Sequence, residues 1–224
     1  MAINSHLTWV VIPAFNEQGR IEAVIRDILR YTPHVVVVDD GSTPDLNFLK
    51  EKFPGITVIR HAINLGKGAA MKTGCEVAIK QGATYLVMMD ADGQHKPVDL
   101  PRFMEKLDSG KVDMVFGARV IGKDMPLLLF LGNKYLSIAT NVLFHMFISD
   151  TQGGFRAFTA KAYEQIRWNS ADYTVETEMI VNAAKHHLRY AEVEIQTIYH
   201  DKYKGTTPLD GLKIFFQILK WRFL

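Results

Sequence analysis

Short apolar runs and longer periodic stretches alternate along this 224-residue chain, and each kind predicts a different element. Residues 9–12, 34–38, 56–59, 85–89 and 112–116 are compact and mostly apolar, as expected of strands covered on both faces of a sheet. Between them, apolar residues recur at three- and four-residue spacing. Ile21, Val24, Ile25, Ile28 and Leu29 mark a helix that Asn16 is placed to cap and that ends near Thr32-Pro33. Residues 69–80 and 175–187 predict further helices, 192–198 a late strand, and 208 onward a tail helix. The alternation predicts an α/β fold: a mostly parallel central sheet with helices on both faces.

Two stretches depart from that alternation. Residues 125–148 are rich in Leu, Phe and Met, yet Asn133, Lys134, Ser137, Thr140, Asn141 and His145 interrupt them every three or four residues. A membrane span needs about 20 predominantly apolar residues, so this segment reads as amphipathic. In the tail, Leu209, Leu212, Phe216, Leu219 and Phe223 share one face and Asp210, Lys213, Gln217 and Lys220 the other, with Trp221 and Arg222 beside them. Such stripes pack into a protein interior or lie in a membrane interface, and the aromatic residues beside Lys and Arg favour the interface. The expected organisation is a catalytic domain at 1–207, with an amphipathic insertion at about 125–148, and an amphipathic helix at 208–224.

A 48% hydrophobic composition suffices for a core, and a net charge of +2 argues against nucleic acid as a partner. The single Cys75 lies at helical spacing from Met71 and Ile79, so it reads as core in a reducing setting. Residues 1–8 lack the basic start and apolar stretch of a secretion signal, and no export is expected.

The chemistry collects at strand ends. Residues 34–38 run into Asp39-Asp40-Gly41-Ser42, residues 85–89 into Asp90-Ala91-Asp92, and 112–116 into Gly117-Ala118-Arg119. Ligands of open parallel sheets bind at that edge. Positions i and i+2 of a strand face one side, so Asp90 and Asp92 can share Mg²⁺ or Mn²⁺, with Gln94 as a neutral oxygen ligand. The plain alternative is that these residues only end a strand and begin a turn.

Pro13-Ala14-Phe15-Asn16-Glu17, Val38-Asp39-Asp40-Gly41-Ser42, Asn64-x-Gly66-Lys67-Gly68 and Asp90-Ala91-Asp92-Gly93-Gln94 occur in this order. Together they resemble the inverting family-two glycosyltransferases of the GT-A fold. Thr151-Gln152-Gly153-Gly154-Phe155-Arg156 resembles the polyprenyl- and dolichyl-phosphate branch. The resemblance implies that Pro13, Ala14, Phe15, Glu17, Val38, Asp40, Lys67 and Lys202 line the donor site and that Asp90, Ala91 and Asp92 hold metal and diphosphate. Arg119, Lys134 and Arg156 are then the candidates for an acceptor phosphate, and Asp92 and Arg119 the catalytic pair. Lys202 and Lys204-Gly205-Thr206-Thr207 stand where the mannosyl relatives carry an arginine and a later lysine, a departure that counts against mannose, while the resemblance of Thr151-Gln152-Gly153-Gly154-Phe155 turns the donor toward a uridine-linked hexose or N-acetylhexosamine, with GDP-mannose left open.

The implied reaction moves one sugar, with inversion, from a nucleoside-diphosphate sugar to a polyprenyl phosphate. A phosphate monoester has a second pKa near 6, so it needs no general base. Glu176 and Glu178 are therefore expected to brace rather than catalyse. One alternative is transfer to a sugar hydroxyl with Glu178 as base; another is a noncatalytic sugar-nucleotide-binding module. The resemblance also implies an enzyme held peripherally at the cytoplasmic face of a membrane, and it is compatible with a homo-oligomer.

Overall fold

The computed structural model describes residues 7–119, 127–196 and 208–223. Strands β1 (Thr8–Ala14), β2 (Val35–Asp39), β3 (Thr57–Arg60), β4 (Tyr85–Met88), β5 (Met114–Arg119), β6 (Arg156–Thr159) and β7 (Tyr190–Ile195) form one sheet in the order β3-β2-β1-β4-β6-β5-β7. All neighbours pair in parallel except β6, which runs antiparallel between β4 and β5. That reversal sets the start of β6 at the edge where β1, β2, β4 and β5 end, with Arg156 opposite both Met88 and Phe116.

The uniformly apolar runs have a direct cause. Successive side chains of β1 point to opposite faces. Trp9 and Val11 enter one core with Met71, Cys75 and Ala78 of α3 (Lys67–Lys80), Tyr163 of α6 (Ala160–Ile166) and Met179 of α7 (Val175–Lys185). Val10 and Ile12 enter the other, with Ile21 and Ile25 of α1 (Ile21–Ile28), Leu49 of α2 (Phe48–Lys52) and Phe103 of α4 (Leu100–Asp108). Each buried aliphatic side chain contributes about 1.5–3 kcal/mol relative to exposure.

Helix α5 (Leu127–Phe144) and helix α8 (Pro208–Phe223) pack together through Leu136, Ile214 and Ile218. At 100° per residue, Ile214 lies nearly opposite Leu212 and Phe216. Thus α8 has two apolar stripes: one is buried on α5, while Leu212, Phe216 and Phe223 are exposed, as are Tyr135, Ile138 and Val142 of α5. The expected single apolar face is corrected to this arrangement. Among the described residues no helix is long and apolar enough to cross a membrane.

Two local expectations also differ. Asn16 does not cap α1: the residue preceding that helix is Arg20, and Asn16, at φ 56°, links two loops. Strand β4 stops at Met88, so Asp90 and Asp92 lie on the turn beyond it and strand alternation does not set their directions.

Candidate functional site

The site is built where the loops after β1, β2 and β4 meet the starts of α3, β6 and α7. After β1, Phe15 stands 46% exposed. The Asn16 N–H donates to Ser42 Oγ and its Oδ1 accepts from the Thr43 N–H, each at 2.9 Å. These bonds tie the first loop to the second.

The carboxylates after β2 are taken up by the backbone. Asp39 accepts from the N–H groups of Ser42 and Leu46 at 2.9 and 3.1 Å. Asp40, expected to meet the nucleoside, accepts from Leu65 and Gly66 N–H at 3.0 and 2.8 Å and pairs with His61 Nδ1 at 2.7 Å. Both side chains are buried, and Asp40 shapes the loop that leads into α3. The side chains of Val38, Ala14 and Ala91 are core residues, so these three can face a ligand only with their main chain.

Lys67 opens α3 and is fixed by its surroundings. The Gly68 N–H donates to Ala171 O at 2.7 Å, and a Cβ on Gly68 would come within 2.1 Å of Ser170 O, so only glycine admits the 168–171 loop. Glu178 holds that loop from the other side, accepting from Asn169 and Ser170 N–H at 2.9 and 2.8 Å. Both its oxygens are thereby engaged, as the bracing role expected. Lys67 Nζ then lies 2.7 Å from Asp90 Oδ1 and 2.8 Å from Glu176 Oε1. Burial works to lower the Lys67 pKa, but the two carboxylates outweigh it and raise it, so the ammonium is permanent.

Asp90 is the centre of this charge. Burial pushes its carboxyl up, while Lys67 pulls it below the usual range, and the net shift is downward. A Cβ on Gly154 would lie 2.3 Å from Asp90 Oδ2, so that glycine admits the carboxylate against the 151–155 loop. Asp92 accepts from Gln94 N–H at 2.9 Å, and burial together with the charge of Asp90 raises its pKa. His95 is buried with Nδ1 unpartnered, 3.9 Å from Asp90 Oδ2; burial lowers its pKa and keeps the ring neutral.

The two arginines have different fates. Arg119, at the end of β5, makes a two-pronged contact to Asp150 at 2.5 and 2.8 Å and keeps partial exposure. Arg156 is fully buried, donates to the carbonyls of Gly153, Glu176 and Thr151 at 2.8, 2.5 and 2.7 Å, and lies over the Phe116 ring. Its guanidinium braces the loop, which corrects its expected place at an acceptor phosphate; burial lowers its pKa to about 10. Lys134 is exposed on α5, and Lys202 lies outside the described residues. His95 and Asp150 carry no site role in the sequence, and Glu176 only a bracing one. The first two adjoin motifs singled out there, and Glu176 lies two residues from Glu178, which was preferred.

A 450 Å³ cleft, lined by Asp92 and His95 on one side and Arg20, Tyr31 and Lys96 among others, opens beside the acidic turn. A cation between Asp90 and Asp92 fits the residues present: both are hard oxygen donors, and it would relieve the like-charge contact that raises Asp92. Among the described residues no three His, Cys, Asp or Glu side chains are grouped so that they could hold a metal ion by themselves.

Residues 9–167 match the family described as Glycosyl transferase family 2. The UDP-N-acetylglucosamine–dolichyl-phosphate N-acetylglucosaminyltransferase of Methanococcus voltae is 32% identical over 95% of this chain and 95% of its own. The polyprenol monophosphomannose synthase of Mycolicibacterium smegmatis is 25% identical over 96% of this chain and 86% of its own. Among solved structures, glucosyl-3-phosphoglycerate synthase from Mycobacterium tuberculosis with uridine diphosphate superposes with a TM-score of 0.72 at 21% identity, covering 96% of this chain and 78% of that one. The last likeness establishes the shared GT-A fold and nothing finer.

Proposed function

The chain belongs to glycosyl transferase family 2, and from that premise we propose that it transfers one sugar, with inversion, from a nucleoside-diphosphate sugar to a polyprenyl phosphate. The observation that carries the reading is the acidic turn. Asp90 and Asp92 remain side by side at the sheet edge, with Lys67 and Arg119 as the neighbouring cations. The dolichyl- and polyprenyl-phosphate relatives supply the acceptor class, and the relative that uses UDP-N-acetylglucosamine favours a uridine-linked donor.

In this reading Phe15 walls the base, and Pro13, Glu17 and the main chain at Ala14, Val38 and Ala91 frame the nucleotide. Lys67 faces the diphosphate, and Lys202 is kept as a donor-side candidate. Asp90, Asp92 and Gln94 would hold Mg²⁺ or Mn²⁺. That ion, when bound, stabilises negative charge on the departing diphosphate. Arg119 shares its fork between Asp150 and the acceptor phosphate, orienting it for in-line attack. The acceptor dianion is its own nucleophile, with no proton to remove. Transfer to a hydroxyl with Glu178 as base is disfavoured because both Glu178 oxygens already accept backbone N–H groups.

A long isoprenoid leaves a bilayer at about 0.8 kcal/mol per methylene, so the enzyme goes to the membrane. The exposed Leu212, Phe216 and Phe223 of α8, together with the exposed Tyr135, Ile138 and Val142 of α5 and the exposed Lys134, Lys220 and Arg222, make the surface proposed to rest peripherally on the cytoplasmic face. The deciding experiment gives the full chain a polyprenyl phosphate in detergent with Mg²⁺ or Mn²⁺ and, separately, UDP-N-acetylglucosamine, UDP-glucose and GDP-mannose. A glycosylated lipid with one uridine-linked donor is expected. Turnover only with an oligosaccharide acceptor would overturn the assignment.

A further inference from the structure

Lys67 has two carboxylate partners on different elements, and only one of them belongs to the acidic turn. Asp90 lies beyond β4, 2.7 Å from the ammonium; Glu176 lies in the first turn of α7, 2.8 Å from it. Glu176 is buried, and its second oxygen, Oε2, has no hydrogen-bond partner. Its main-chain carbonyl is held by Arg156, so the carboxylate is anchored at a fixed place. The ammonium thus occupies, at Asp90, coordination that a divalent cation needs, while a spare acceptor waits at Glu176.

We infer that Lys67 is a resident counter-ion which a divalent cation displaces from Asp90, and that Glu176 is the positioning residue that retains the displaced ammonium beside the diphosphate. The inference rests on the proposed metal-holding role of Asp90 and Asp92 and adds the competition for Asp90. Two cations cannot both neutralise one carboxylate oxygen at contact distance without mutual repulsion. The ion alone therefore binds against the loss of the Lys67–Asp90 contact. A nucleoside diphosphate gives the released ammonium a new anion, so ion and nucleotide strengthen each other's binding by equal factors.

The test measures Mn²⁺ affinity by the electron paramagnetic resonance of the free ion, with and without saturating UDP or GDP, on the full chain. Lys67→Met, which removes the competitor, is expected to bind Mn²⁺ alone about tenfold more tightly than wild type and to bind the nucleotide more weakly. Glu176→Gln leaves Lys67 to Asp90 and is expected to weaken Mn²⁺ binding. In the double variant the Glu176 effect should vanish, because that residue acts through Lys67. A bracing role alone predicts weaker or unchanged Mn²⁺ binding in Lys67→Met, and that result overturns the inference, as does a Glu176→Gln effect that persists without Lys67. Should Lys67→Met not fold, Lys67→Gln carries the same expectation. If wild type binds no Mn²⁺ even with nucleotide, the metal-site reading itself falls and takes this inference with it.

Discussion

Two acidic tips at one sheet edge have opposite fates. After β2, Asp39 and Asp40 are consecutive and buried, and together they accept four backbone N–H groups and a histidine nitrogen. After β4, Asp90 and Asp92 accept one backbone N–H from Gln94, and around them stand titratable side chains: Lys67, Arg119, the buried His95 and each other. A carboxylate saturated by backbone donors is architecture, since moving it would strand several buried N–H groups. One that meets charged side chains instead can exchange them for a ligand without stranding backbone N–H groups. The same contrast separates Arg156, fully buried and enclosed by three carbonyls, from Arg119, which pairs with the Asp150 carboxylate and keeps part of its side chain exposed.

The comparison can be tested from its strongest member down. Arg156→Met should strand three carbonyls and cost about 3–5 kcal/mol, seen as a lower urea midpoint, whatever its effect on turnover. Asp92→Ala should leave the thermal midpoint nearly unchanged while kcat/KM falls on the order of a hundredfold or more. Asp39→Ala should do the reverse: about 2 kcal/mol of stability lost from two stranded N–H groups, a Tm lower by roughly 4–8 °C, and turnover largely retained in the folded fraction. If Asp39→Ala and Asp92→Ala lower stability and activity alike, the distinction between the tips is wrong. Replacing both Phe216 and Phe223 with Ser should reduce co-sedimentation with anionic vesicles and leave nucleotide binding intact.

The smallest effect concerns the tie between α8 and the body. Burial tends to raise the Asp172 carboxyl, but Lys213 and Thr174 hold it down to about 2. With the folded value below an unfolded value of about 3.9, the contribution is complete above that pH and disappears as pH falls toward 2. Both side chains are substantially exposed, so screening limits it to less than about 1 kcal/mol. The Tm difference between wild type and Lys213→Met should therefore be small at pH 6 and vanish between about pH 4 and pH 2.

Much of the fold was legible because burial on both faces writes itself as continuous apolar runs: β1, β2 and β4 begin within a residue of the expected positions. The antiparallel β6 was not. Arg156-Ala157-Phe158-Thr159 is four residues long, begins with a charge, and pairs with strands some 40 and 70 residues away, so no local period announces it. Helix α6, directly after it, was missed with it. At the site, the acidic turn, Lys67 and Arg119 were found as motifs. His95 had no role in the sequence and Glu176 only a bracing one, because what singles them out is an unpartnered buried atom, a property of packing.

The alternation of apolar strands with amphipathic helices in the first half of the chain, the delivery of polar residues to one sheet edge and the presence of paired carboxylates were determined by the sequence alone, through side-chain period and turn chemistry. Which of those carboxylates is free to hold an ion was decided only by the tertiary structure. The donors that occupy Asp40 come from Leu65 and Gly66, and the cation that meets Asp90 comes from Lys67, each more than twenty residues away. A carboxylate's role follows from what surrounds it once water is removed, and that surrounding is assembled by folding.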